Sequence, residues 1–433
     1  MKHRKLFLLI ASAILFTGSA AFAQESATDT LANGLNKLRG TVDVLNHLKF
    51  SGYIQAQYQV ADSSGIATFA GKAFPATVDN RFSVRRGRLK VVYTGSIATY
   101  QLQFDVTENG LGIKDAFAKL TLPWKCLHSV SLTAGAFNRP FGYEIEYSSN
   151  TRETPERGRM SQIIFNNERD LGAMITLQAP KTSRWNFIRA DFAMVNGTSI
   201  AGPDFDWKKD FIGRIRMDKA LHDEKVLLGL GISYYDGGIR QGRKNVWTMG
   251  TDSLGLSAYH LNNDTLNFGA MSGRKYMGLD FQLSFVNPVG LTILRAEYIS
   301  GQQPGTSSTS TSATAQPTTD AYIRNFSGAY FYFVQNIMQT KHQIVAKYDW
   351  YDPNVDVAGN DIGAAVAGSG NGKTNKQDIK YTTLGVGYAY KFDQNIKLAI
   401  YRDMVTNETS THLAGFTKDI TDDVWTIRLQ VKF

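Results

Sequence analysis

Residues 138–167 read NRPFGYEIEYSSNTRETPERGRMSQIIFNN, and they separate two segments, 129–137 and 168–179, that alternate like β-strands. A connection of about thirty residues inside a compact β protein is usually either functional or disordered. Disorder fits poorly, because Phe141, Tyr143, Ile145, Tyr147, Ile163, Ile164 and Phe165 supply too many apolar anchors for a solvated linker. The segment is therefore expected to pack against the rest of the chain. It brings charge to that place: Arg139, Arg152, Arg157 and Arg159 beside Glu144, Glu146, Glu153 and Glu156. What it packs against decides the fold.

On either side, from Leu48 onward, the hydrophobic period is two. Tyr100, Leu102, Phe104 and Val106 alternate with Gln101, Gln103 and Asp105, and Trp425, Ile427, Leu429, Val431 and Phe433 alternate with Thr426, Arg428, Gln430 and Lys432. Strands are expected near 48–60, 81–95, 98–107, 113–122, 129–137, 168–179, 185–195, 209–218, 225–235, 275–287, 290–301, 325–336, 341–351, 380–392, 395–403 and 424–433. A soluble sandwich shows the same alternation, so the connections have to decide. They come in two beats. Those at 95–98, 287–290 and 392–395 are tight, whereas 236–274, 302–324, 352–379 and 404–423 are long, polar and rich in Gly, Ser, Thr and Asn. Short turns on one side and long loops on the other are the rhythm of a transmembrane barrel, and sixteen is an even number as such barrels require. Tyr388, Tyr390 and Phe392, Tyr348 and Trp350, and Trp185 and Trp425 lie near strand ends, where amphipathic rings meet a membrane interface. The expected fold is all-β: a 16-stranded antiparallel transmembrane β-barrel over 48–433, with residues 138–167 folded inward as a constriction.

The remaining features set the compartment. Residues 1–23 carry a basic start (Lys2, Arg4, Lys5), an apolar run from Leu6 to Phe16 and the small-residue site Ala21-Phe22-Ala23, which together predict a secretory signal peptide. Its removal lowers the formal charge of +9 by three, leaving a mild basic excess that permits attraction for anions without demonstrating it. Residues 24–47 place Leu31, Leu35, Leu38, Val42 and Leu45 at helical spacing, so a short periplasmic helix or tail is expected there. Beyond residue 23 no apolar run is long enough for a membrane helix. Cys126 is the single cysteine, which excludes an internal disulfide and a cysteine-based metal site. The seven histidines lack ligand spacing, and Gly368–Thr374 lacks the first glycine and the strand-to-helix setting of a phosphate-binding loop. No cofactor, no metal and no nucleic-acid partner are expected.

Arg85-Arg86-Gly87-Arg88-Leu89, Tyr100-Gln101-Leu102-Gln103-Phe104-Asp105 and Lys114-Asp115-Ala116-Phe117 resemble the phosphate-selective outer-membrane porins of the O and P type. So do Phe137-Asn138-Arg139-Pro140-Phe141-Gly142-Tyr143-Glu144, Ser148-Ser149 and Glu168-Arg169-Asp170-Leu171-Gly172. The motifs cluster between about residues 80 and 175, while the layout extends over most of the chain. The resemblance implies a bacterial outer-membrane protein of sixteen strands, a homotrimer, with its third outer loop in the lumen. That loop joins strands five and six, where the strand count independently puts 138–167. The terminal Phe433 resembles the signal read by barrel-assembly machinery. The implied partners are outer-membrane lipid and small anionic solutes such as phosphate or polyphosphate.

A passive channel needs no catalytic group; its selectivity comes from width and from charge in the lumen. Parity turns Arg86, Arg88 and Lys90 inward on one strand, Arg189 on another, Arg214 and Arg216 on a third, and Arg295 further on. With Arg139, Arg152, Arg157 and Arg159 of the long loop these are the candidate pore-lining, anion-binding residues. Guanidinium suits phosphate because its planar donors match two oxyanion oxygens. Against this, the loop is near neutral, and Asp105, Asp115, Asp191, Glu297 and Asp349 can balance the wall. A non-selective general porin is the alternative, and an adhesin or receptor using loops 236–274 and 302–324 is a second one. An enzyme is not expected, since His260 and His412 have no identifiable nucleophile and base arrangement.

Overall fold

The structure, a computed structural model, describes residues 48–433 except 109, 123–128, 181, 201 and 223–224, together with a few positions between 37 and 47. The expected signal peptide (1–23), most of the expected helix at 24–47, and Cys126 lie outside the described residues.

In chain order the strands are β1 (Leu48–Ala61), β2 (Asn80–Thr94), β3 (Ala98–Thr107), β4 (Gly110–Leu122), β5 (Ser129–Asn138), β6 (Arg169–Gln178), β7 (Ile188–Val195), β8 (Asp210–Leu221), β9 (Val226–Arg240), β10 (Val246–Thr251) and β11 (Ser257–Asn262). They continue as β12 (Met271–Asn287), β13 (Gly290–Gly305), β14 (Ala321–Ile337), β15 (His342–Asp352), β16 (Asn371–Gly372), β17 (Tyr381–Lys391), β18 (Ile396–Asn407) and β19 (Val424–Lys432). Sixteen of them form an antiparallel wall in which sequence neighbours pair; β9 pairs with β12 and β15 with β17 across the insertions. The wall closes where β1 meets β19, from Tyr53 opposite Lys432 to Ala61 opposite Val424. Closure leaves no strand of the sixteen-stranded wall with an unpaired edge among the described residues, which a hydrocarbon environment demands.

The two faces are inverted relative to a soluble sheet. Along β19, Trp425, Ile427, Leu429 and Val431 are each 42–43% exposed, while Thr426, Arg428 and Gln430 are buried to 5% or less. On β1, Tyr53, Gln55, Gln57 and Gln59 are buried and Phe50 and Ile54 exposed. Apolar side chains out and polar side chains in is the barrel pattern and excludes a sandwich. The exposed aromatics Trp185, Tyr348, Tyr388 and Phe392 stand near strand ends as expected.

Two departures from strict alternation occur in β2 and β4. The β1–β2 register slips between Gln55 and Ala56, and the β3–β4 register slips between Gln103 and Phe104. Each bulge leaves one residue, Arg85 or Lys114, without an opposing partner and re-aims it. Several strands also run further than the sequence pattern indicates: β9 reaches Arg240, β12 begins at Met271, β13 reaches Gly305 and β18 reaches Asn407. Those ends carry glycines and polar residues with no alternation to read. The expected open loop 236–274 contains the hairpin of β10 and β11, which adds parallel to β14 and antiparallel to β16. Asp378 ties this outer layer together by accepting from Tyr259, Arg324 and Asn354.

Candidate functional site

The segment after β5 turns into the barrel. Its first turn is built around Gly142, whose φ of +60° is a conformation that favours glycine. The backbone N–H groups of Tyr143 and Glu144 both donate to Glu297 Oε2 on β13, at 3.1 and 3.0 Å, and Tyr330 OH donates to the same oxygen at 2.7 Å. Phe141 enters beside Phe165, Tyr235 and Tyr276, with ring centroids 5.1–6.5 Å apart. It comes so close to β12 that a Cβ on Gly278 would lie 2.8 Å from its ring. Further along, α1 (Arg159–Ile164) packs Met160, Ile163 and Ile164 into the same cluster with Ile299, Phe326 and Tyr351. Part of the lumen is thus filled by a hydrophobic core, formed between the loop and the wall of β5, β7–β9 and β12–β15.

A six-residue helix is too short to persist alone. Here its amino end is satisfied from outside: Gly158 N donates to the Glu144 carboxylate and Arg159 N to Asp349 Oδ1 at 3.1 Å. Glu144 thereby closes residues 144–158 into a lobe, with Tyr332 OH donating to its Oε1.

The lobe reaches the remaining wall through its glutamates. Glu146 meets Arg214 and Arg216 of β8 at 2.9 and 2.8 Å. Glu153 takes a two-pronged pair from Arg295 of β13, at 2.7 and 3.2 Å. Glu156 accepts from Arg85 and Arg86 of β2 at 2.8 and 2.7 Å and from Arg428 of β19 at 2.9 Å. Burial alone would push the Glu156 carboxyl up, but these three guanidiniums hold it well below the usual carboxylate range. Ser149 and Asn150 complete the contact by accepting from Gln55 and Gln430 through their carbonyls.

Sequence parity placed Arg86, Arg88, Lys90, Arg189, Arg214, Arg216 and Arg295 on the inner face, and all seven are buried or half-buried there. They do not form one open ladder. Arg86, Arg214, Arg216 and Arg295 clamp the loop, Arg214 also pairing with Asp280. Arg189 pairs with Asp191 on its own strand. Arg88 has only Asp105, at 3.6 Å, and Lys90 has no carboxylate within 4 Å among the described residues. Of the loop cations, Arg139 is bound to Asp170 at 2.6 Å and Arg157 to Glu168. Arg159 lies over the Tyr381 ring at 3.8 Å and the Phe69 ring at 4.6 Å. Arg152 is buried, with no carboxylate within 4 Å among the described residues.

The parity reading missed Arg85, because a bulge turns it inward beside Arg86, and Lys114, for the same reason. The double arginine of Arg85-Arg86 was its only signal. It also missed residues 62–79, where Ile66, Ala70 and Phe74 pack on Ala61 and Val424 while Phe69 O accepts from Gln162 of α1.

Residues 72–188 match the family described as phosphate-selective porin O and P. Set against curated protein sequences, the chain finds no match. Among solved structures, it is similar to OprB of Pseudomonas putida, with a TM-score of 0.58 and 9% identity over 90% of this chain and 96% of that one. It is similar too to the anion-selective porin of Comamonas acidovorans (TM-score 0.51, 10% identity, 89% and 99% covered) and to the outer-membrane channel DcaP of Acinetobacter baumannii (0.51, 12%, 89% and 97%). The chain is a sixteen-stranded barrel of the outer-membrane porin fold whose residues 72–188 match the phosphate-selective porins O and P.

Proposed function

We propose that the chain is a passive channel of the outer membrane, not an enzyme, through which small hydrophilic solutes diffuse with a preference for anions such as phosphate. One observation carries the sign of that preference. At the end of the barrel with the tight turns and the β1–β19 seam, a polar cavity of about 220 Å³ opens beneath the loop, and its lining counts Arg88, Lys90, Arg157, Arg169 and Lys432 against only Asp115 and Glu146. Among the described residues, Lys90 and Lys432 have no carboxylate within 4 Å and Arg88 is paired at 3.6 Å with Asp105; Arg88 and Lys90 lie two residues apart on the inner face of β2. A pore wall of this balance concentrates anions and repels cations. The family match and the description of the Comamonas protein as anion-selective agree with the reading. We further assign export to residues 1–23, from their sequence, and assembly to a homotrimer, as the resemblance to the phosphate-selective porins implies.

A general porin is the second reading, favoured by the glutamates that neutralise Arg86, Arg214, Arg216 and Arg295. Zero-current potentials in planar bilayers under a salt gradient separate the two, with phosphate compared against chloride. Wild type is expected to show anion preference, and Arg88→Ala with Lys90→Ala to move the potential toward the cation side. Cation preference in wild type, or no shift in the double variant, rejects the anion reading.

A further inference from the structure

The polar cavity beneath the loop is not charged evenly. The strand register sets two neighbouring rows across its wall, Lys432–Tyr53–Arg88 from β19 to β2 and Ser51–Lys90–Gln103–Asp115 from β1 to β4. Partners on adjacent strands point to the same face, here the inner one. Lys432, Arg88 and Lys90 therefore gather on the flank of β19 and β2. On the far flank Asp115 is taken by Arg169 at 2.8 Å and by Gln101 at 2.7 Å. The other charges of the lining are paired away, Arg157 with Glu168 and Glu146 with Arg214 and Arg216. The cavity thus has a cationic flank and a nearly neutral one.

Two polar side chains of the lining are more than nine-tenths buried yet make no side-chain hydrogen bond among the described residues. Arg88 is 7% exposed and its Asp105 neighbour stands 3.6 Å off, beyond hydrogen-bond distance; Gln103 is 8% exposed. The first asks for an anionic oxygen. The second asks for a neutral group that both donates and accepts, as a hydroxyl does. Ser148 and Asn150 of the lobe add a further hydroxyl and amide to the lining. The volume of about 220 Å³ lies below the roughly 300–1,000 Å³ of sites for drug-sized ligands and is several times the roughly 30 Å³ of a water. It suits a molecule of monosaccharide size.

We propose that this cavity selects a monosaccharide bearing a single carboxylate, a hexuronate, with the carboxylate at Arg88 and Lys90 and the ring hydroxyls along Gln103 and the lobe. The proposal rests on the channel reading and narrows its solute class. Inorganic phosphate carries its charge on every side, so it matches the cationic flank and leaves the amides of the other unserved.

The test measures block of the potassium chloride current through the full-length protein in planar bilayers. Sodium glucuronate should halve the current at a concentration about tenfold lower than acetate, phosphate or glucose, which offer the charge or the hydroxyls but not both. Gln103→Ala should raise the glucuronate value about fivefold and leave that of phosphate unchanged. Lys90→Ala should raise both. Glucuronate acting no better than acetate or glucose, or Gln103→Ala shifting phosphate equally, overturns the proposal. Equilibrium dialysis of labelled glucuronate against the protein in detergent needs no current. If no chloride current flows, the channel reading fails and dialysis decides the site alone: retention weakened by Gln103→Ala supports it, and no retention overturns it. Should Gln103→Ala fail to fold, the order of the four solutes on wild type decides.

Discussion

At Gly142 a methyl group would collide with the Glu297 carboxylate, and the backbone stands at a positive φ that alanine resists. Gly142→Ala is therefore expected to lower stability by about 1–3 kcal/mol and to loosen the first turn of the loop. The measurement is the thermal midpoint together with single-channel conductance, the first falling and the second rising. Glu156 makes a sharper case, since one buried carboxylate serves three guanidiniums, those of Arg86 and Arg428 buried and that of Arg85 half-buried. Glu156→Gln leaves those cations uncompensated and is expected to cost on the order of 3–5 kcal/mol. Its pH dependence follows from the depressed pKa. The unfolded carboxyl titrates near about 4.3. Stability from Glu156 is thus fully present above that pH and is lost only as the pH falls through the much lower folded value. Conductance recorded from pH 8 to 5 should show no loop release attributable to Glu156; opening in that window that Glu156→Gln abolishes would refute the clamp.

At the scale of elements, the strands were legible because each turns one face to lipid and the other to water, so every second residue reports its side. The signal fails where that asymmetry fails. The outer ends of β9, β12, β13 and β18 stand clear of the apolar band, and the bulges at Arg85 and Lys114 break parity with no mark beyond the double arginine Arg85-Arg86. The loop was legible as an inserted, anchored segment from its aromatic residues. Its cations were legible as inward but not as spent, because a sequence does not show that Glu146, Glu153 and Glu156 lie opposite the wall arginines. The helix α1 holds its place through packing rather than propensity. Phe165→Ala, which empties a position touching Phe141, Tyr235 and Tyr276, should cost about 3–5 kcal/mol and increase conductance. An unchanged melting temperature would show that the core inside the barrel contributes nothing.

For the whole molecule, the inverted faces make a test that no single site provides. Ile427→Arg puts a charge on the outer face of β19, whereas Gln430→Arg puts one on the inner face of the same strand. The first is expected to cost up to about 2–4 kcal/mol in a bilayer and to reduce the fraction that folds into liposomes, the second much less. Equal behaviour would mean that the outer face of β19 does not meet lipid. On the proposed reading, ions pass through the barrel and residues 138–167 set the width of their path. The most direct measurement is the single-channel conductance of the reconstituted protein beside a variant lacking residues 145–157. Discrete small current steps in wild type and several-fold larger ones in the deletion are the predicted result. No steps in either protein, or identical steps in both, would contradict it.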